Sequence, residues 1–156
     1  MSKPFIIFLV LIAALAVLGA AVSFDIFLKP PAAPIPKHKL TIGETDIFVD
    51  VARTAAERTL GLSGMEAMPH NEGLLFIFEK NDTHAIWMKD MRFPIDIIWI
   101  DESFMITEIV ENALPSSFPE IFEPKNPARY VLETNAGWAQ KNDVRIGAKI
   151  NGLPKI

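Results

Sequence analysis

Trp87-Met88-Lys89-Asp90-Met91-Arg92-Phe93-Pro94-Ile95-Asp96-Ile97-Ile98-Trp99-Ile100 decides the fold. Its second half, Ile95–Ile100, is a short apolar run that starts just after a proline and is followed by the turn residues Asp101-Glu102-Ser103. Such a run reads as a strand, and the turn residues read as a tight hairpin loop into a second strand, Phe104–Val110. Ala85–Met88 reads as a further strand that enters the Lys89–Pro94 turn. Alternation along Ile95–Ile100 puts Asp96 on one face with Ile98 and Ile100.

Working outward, the same grammar repeats. Lys39–Ile42 and Asp46–Ala52 read as strands around Gly43-Glu44-Thr45, with Ile47, Val49 and Val51 on one face. Gly73–Phe78 and Tyr130–Thr134 are further strands. Helix is scarce. Thr54 and Glu57 have capping-box spacing and Gly61 is a natural stop, which predicts a helix over Ala55–Leu60. A second short helix is expected from Asn135, as cap, to Asn142. The chain therefore reads as mainly β, a sandwich-like or partly closed barrel rather than a set of βαβ units.

The N-terminal end has a different character. Phe5–Val22 is eighteen uncharged, almost wholly apolar residues, about 27 Å long as a helix against a hydrocarbon core of roughly 30 Å. Lys29–Lys37 carries four prolines in nine residues, so it is expected as extended polyproline II, about 3.1 Å per residue. These features divide the chain into a signal anchor or signal peptide (1–28), a proline-rich linker (29–37) and one domain (38–156). The expected placement is a single-pass membrane protein with its domain outside the cytoplasm. The alternative is secretion after cleavage, with Gly19 and Ala21 as the small residues. Lysines flank the apolar run on both sides, so the positive-inside rule does not choose between the two orientations.

Composition narrows the chemistry. The 156 residues contain no cysteine, which excludes thiol catalysis, thiolate metal sites and disulfides. The net charge is −4, with basic residues scattered, so no concentrated positive face exists for a phosphate backbone and nucleic acid is not an expected partner.

Five segments together resemble a known family. They are Arg58-Thr59-Leu60-Gly61-Leu62, Gly73-Leu74-Leu75-Phe76-Ile77-Phe78, Trp87–Ile98, Tyr130-Val131-Leu132-Glu133-Thr134-Asn135-Ala136-Gly137 and Ile146-Gly147. Over about residues 39–152 this set is similar to the domain-of-unknown-function-192 family. Leu74, Asp90 and Ile95 stand where that family usually has methionine, asparagine and leucine. The resemblance implies a compact all-β, sandwich-like domain, often behind a signal or anchor, and no established activity.

Several residues are candidates for chemistry. Asp96 within an apolar strand must be paired or face a wet pocket. It reads either as a perturbed acid, base or ligand-orienting group, or as the partner of Arg58, Arg92 or Arg129. Glu133 has similar status, and the two carboxyls are weak candidates for a glycosidase-type acid/base pair. Trp87, Met88 and Lys89 sit where a strand meets a turn, placed to floor an apolar or sugar-binding pocket or to belong to core and solvated turn. The candidate ligand-binding set is Arg58, Trp87, Met88, Lys89, Asp96 and Glu133. His38, His70 and His84 lack zinc-type spacing, and Ser63 in Gly61-Leu62-Ser63-Gly64 misses a nucleophile elbow, so no metal and no cofactor is expected. Pro115–Pro127 is a long loop that offers Phe118 and Phe122 as a lid or docking surface, or else packs both rings.

The functional expectation is a non-enzymatic, membrane-tethered binding module for an envelope carbohydrate or protein partner. The alternatives are a carbohydrate-active hydrolase or lyase using Asp96 and Glu133, and a structural or chaperone-like envelope protein docking through residues 115–127.

Overall fold

The structure is a computed structural model that describes residues 37–154. The apolar segment, its expected membrane helix and all but the last residue of the linker lie outside the described residues. Nine strands and two short helices follow in the order β1 (His38–Ile42), β2 (Thr45–Ala52), α1 (Ala55–Leu60), β3 (Glu72–Asp82), β4 (Ile86–Trp87), β5 (Ile95–Ile100), β6 (Ile106–Ala113), β7 (Ile121–Phe122), β8 (Ala128–Asn135), α2 (Trp138–Lys141) and β9 (Ile150–Asn151).

Seven strands form one sheet in the order β6-β5-β8-β3-β2-β1-β9, curled into a half-barrel, and β4 pairs with β7 apart from it. The fold is thus mainly β and barrel-like. The main sheet is a single one, and no second large sheet faces it among the described residues, as a sandwich requires. Neighbours are antiparallel except β2 and β3, which run parallel in the register Phe48↔Glu72 to Ala52↔Phe76. A parallel pair needs a crossover, and α1 with the loop to Asn71 supplies it. This local strand–helix–strand unit corrects the expectation that none would be present.

Both faces of the curled sheet are covered. Leu40, Ile47, Val49, Leu75, Ile98, Ile100 and Leu132 pack on one face with Trp138 and Ala139 of α2. Leu74, Phe76, Ile95, Ile97, Trp99 and Val131 pack on the other with Leu62, Met68 and Met88. Strand β5 is buried at all six positions, which is why its sequence reads as a continuous apolar run instead of an alternation.

Local chemistry explains the elements. Thr54 Oγ1 accepts from Glu57 N, and Glu57 Oε2 accepts from Thr54 N at 2.8 Å, so the expected capping box forms and α1 has the predicted bounds. Asp90 sits at φ 57°, in the left-handed region that asparagine and aspartate tolerate best, so the aspartate suits the same turn as an asparagine. The second helix is shorter than expected. Asn135 ends β8 and caps nothing, and Gly137 precedes α2 without any side-chain cap of its own.

Gly73 lies where strands come closest: a Cβ there would stand 2.7 Å from the carbonyl oxygen of Glu133. Only glycine allows that approach without displacing β8.

Candidate functional site

Asp96 and Glu133 are both buried, at 0 % and 4 % exposure, on the neighbouring strands β5 and β8. Register separates them. Asp96 pairs with Thr134, and Ile97 pairs with Glu133. Directly opposed residues share a face and successive residues alternate, so the two carboxyls project to opposite sides of the sheet. They cannot converge on one substrate bond, and the paired acid/base expectation is overturned by this one-residue offset.

The Asp96 side is closed. Oδ1 accepts from Asn112 N at 2.9 Å and Gly137 N at 3.0 Å, and Oδ2 accepts from Ala139 N at 2.9 Å. The pairing of β5 with β6 slips between Ile95↔Ala113 and Ile97↔Val110, and Asn112 takes φ 53°. A bulge with a left-handed residue turns one amide toward the carboxyl, while α2 presents two more from its otherwise unpaired first turn. The expected arginine partners lie elsewhere. Arg92 pairs with Glu66, Arg58 contacts backbone carbonyls, the buried Nε of Arg129 has no partner, and no ion pair reaches Asp96 among the described residues. Asp96 is therefore a cap supplied across the sheet, and it leaves the ligand-binding set.

Glu133 faces the other way, with the opposite outcome. Among the described residues its carboxyl has no hydrogen-bond partner, and burial pushes it up to about 8 from 4.5. At neutral pH the group is a neutral acid, able to donate its proton as well as accept. It lines a cleft of about 60 Å³ with Arg58, Phe76, Trp87, Lys89 and Met91. That volume suits a small substituent of a larger molecule.

The mouth is a shallow basin over α1, lined by Ala56, Thr59, Leu60, Trp87 and Lys89. Trp87 is 50 % exposed, and the Lys89 ammonium lies 5.8 Å from its ring centre. Arg58 donates from Nη1 to the carbonyls of Arg53 and of Ile77, the latter at 3.0 Å, and its guanidinium lies 5.1 Å over the Phe78 ring. These contacts fix its plane and leave its other donors without a protein partner among the described residues. Ser63 Oγ donates to Lys89 O at 3.0 Å, and Gly64 N donates to Asp90 O at 2.9 Å, which holds the Trp87–Asp90 turn against the loop after α1.

Four of the six candidate residues thus meet here: Arg58, Trp87, Lys89 and Glu133. Met88, at 1 % exposure, is core beneath them; strand alternation sends it inward and Trp87 outward. The Pro115–Pro127 loop contributes to the rim in a way sequence reasoning missed. Ile121 pairs with Trp87, and the Phe118 ring meets the Trp87 ring edge-on at 6.1 Å. Phe118 is 44 % exposed, whereas Phe122 packs against the core, so only one of the two rings expected in the docking reading is presented. No described group of three His, Asp or Glu side chains is placed to hold a metal ion.

Comparison with known proteins places the domain, residues 38–152, in a family. The family described as DUF192, Uncharacterized ACR, COG1430 matches residues 38–152. A 1.55 Å crystal structure of a protein from Sinorhizobium meliloti 1021, described as a "putative transcription regulator", superposes with a TM-score of 0.71 at 28% identity, covering 77% of this chain and 98% of that one. A protein of unknown function from Novosphingobium aromaticivorans DSM 12444 superposes with a TM-score of 0.71 at 26% identity, covering 78% and 89%. No curated protein matches.

Proposed function

The chain belongs to the DUF192 family, and from that premise we propose that it is a binding module held outside the cytoplasm by its N-terminal segment, with the Glu133 cleft as its ligand site. The observation that carries this reading is Glu133 itself. A carboxyl that is buried, unpartnered and open to a cleft costs stability, and a bound ligand that supplies the missing partner recovers it.

The surroundings select the ligand. A neutral acid on the floor donates to a carbonyl or carboxylate oxygen, and Arg58 and Lys89 at the walls match a negative charge. Trp87 offers a flat platform of the kind on which a sugar ring stacks. An acidic saccharide of the cell envelope combines these properties, with its carboxylate inserted and its ring on Trp87. Phe118 and Ile121 extend the platform, so a protein partner would use the same rim. Nucleic acid fits poorly, because the chain carries −4 overall with its basic residues scattered along the sequence.

Calorimetric titration of the full chain in detergent micelles with sodium glucuronate tests the reading. Binding is expected near pH 6.5, weakening above pH 8 as Glu133 loses its proton. Glu133→Gln keeps binding and removes that pH dependence, since an amide still donates, while Glu133→Leu abolishes it. Absence of binding, or binding untouched by Glu133→Leu and Trp87→Ala, rejects the proposal.

A further inference from the structure

A second cavity lies apart from the Glu133 cleft, where the sheet ends beside α2. It has a volume of about 350 Å³ and is lined by His70, Asn71, Asn135, Trp138, Lys141 and Asn142. The size falls at the lower end of the roughly 300–1,000 Å³ of small-molecule sites. None of the candidate ligand-binding residues lines it.

Its walls are held in place by side-chain hydrogen bonds to backbone. Asn135 Nδ2 donates to Met68 O at 3.1 Å and Pro69 O at 2.9 Å, tying the His70–Asn71 wall to the end of β8. Asn142 Nδ2 donates to Trp138 O at 2.8 Å. Asp96, from beneath, holds Gly137 and Ala139. The cavity is thus shaped before any ligand arrives, which lowers the ordering cost of binding.

The donor and acceptor inventory defines what fits. Backbone carbonyls only accept, so the amide atoms facing them are the nitrogens of Asn135 and Asn142. Their Oδ1 atoms are left as acceptors with no partner among the described residues. The side chains of His70, Asn71 and Lys141 make no hydrogen bond or ion pair there either. An anion brings acceptors alone and would leave those carbonyls facing it. A cation meets Lys141, and the Asp46 carboxylate, which also lines the cavity, is already engaged by Lys39 at 2.7 Å and Thr41 at 2.8 Å. Hydroxyl groups donate and accept at once, and so satisfy amide oxygens and ammonium together.

We propose that this cavity is a second binding site, specific for a neutral polyhydroxylated molecule such as a single uncharged sugar unit. It is independent of the Glu133 cleft, from which it differs in position, charge and chemistry.

The test is nitrogen-15 NMR of the full chain in detergent micelles, titrated separately with glucose, N-acetylglucosamine and sodium acetate. At least one of the two sugars is expected to shift the Asn135 and Asn142 side-chain signals and the Gly137 amide, with Gly61 and the Trp87 indole unmoved. Asn71→Ala combined with Lys141→Ala, two side chains that bond nothing in the fold, is expected to weaken that sugar at least tenfold while the remaining spectrum is preserved. The proposal is overturned if neither sugar moves those signals, if acetate moves them equally, or if the double variant binds as well as the parent chain.

Discussion

The two sides of the β5–β8 pair carry the same kind of group under opposite conditions. On one side Asp96 is enclosed and accepts three backbone N–H groups. On the other Glu133 is also buried but borders the cleft, and it accepts none. Burial alone therefore does not mark a functional carboxyl; the count of satisfied lone pairs does. A fold that can surround one acid with amides, and leaves its neighbour without them, has kept an acid that a ligand can satisfy.

The largest expected effect breaks the satisfied side. Asp96→Ala removes the acceptor of three amides, of which that of Ala139 is buried and those of Asn112 and Gly137 are part-buried. At about 1–3 kcal/mol for the buried one and about 1 kcal/mol for each of the others, urea unfolding should reveal a loss of about 3–5 kcal/mol. The unsatisfied side should respond with the opposite sign. Below pH 4.5 folded and unfolded chains both hold the Glu133 proton. Between there and about pH 8 only the folded chain holds it, so this residue makes stability fall as pH rises, and the fall levels off above pH 8. Glu133→Gln lacks this slope. Relative to the parent chain it should be near neutral at pH 4 and more stable by about 4 kcal/mol at pH 8, at 1.36 kcal/mol per pKa unit.

Smaller changes sharpen the contrast by touching only the cleft side. Thr54→Ala removes the cap of α1 and should cost about 1 kcal/mol, with amide exchange speeding up over Ala55–Leu60 and not around α2. Trp87→Ala should stay within about 0.5 kcal/mol in stability, as expected of an exposed position, while weakening glucuronate about fivefold to tenfold through the lost stacking. A comparable loss of stability in Trp87→Ala would make it a packing residue and remove the platform.

Much of this was legible in the residues. The Thr54/Glu57 spacing located α1, alternation placed Asp96 with Ile98 and Ile100, and the family segments held four residues that meet in the cleft. What stayed hidden depended on pairing across long stretches of chain. The opposite orientation of Asp96 and Glu133 follows from the Asp96↔Thr134 register, which neither strand encodes alone. The partners of Asp96 are backbone amides, which any residue type supplies, so side-chain identity pointed to arginines instead. The β4–β7 pair, two residues on each strand, is too short for any periodicity, and with it went the contribution of Phe118 and Ile121 to the rim. The parallel β2–β3 pair was missed because its crossover holds only a six-residue helix, shorter than the helices that usually signal such units.

Lys37, at the point where the described chain begins, is held by two carboxylates at once: Asp50 at 2.6 Å on β2 and Glu72 at 2.7 Å on β3. His38 meets the carbonyl of Gly152 near the other end of the domain. Viewed mechanically, these contacts form an anchorage. A pull on the chain at Lys37 would otherwise peel β1 from β2 one hydrogen bond at a time, starting at His38↔Val49. With Lys37 fastened to β2 and β3, the load passes first into the middle of the sheet, and the β1–β2 ladder is spared until those ion pairs give way.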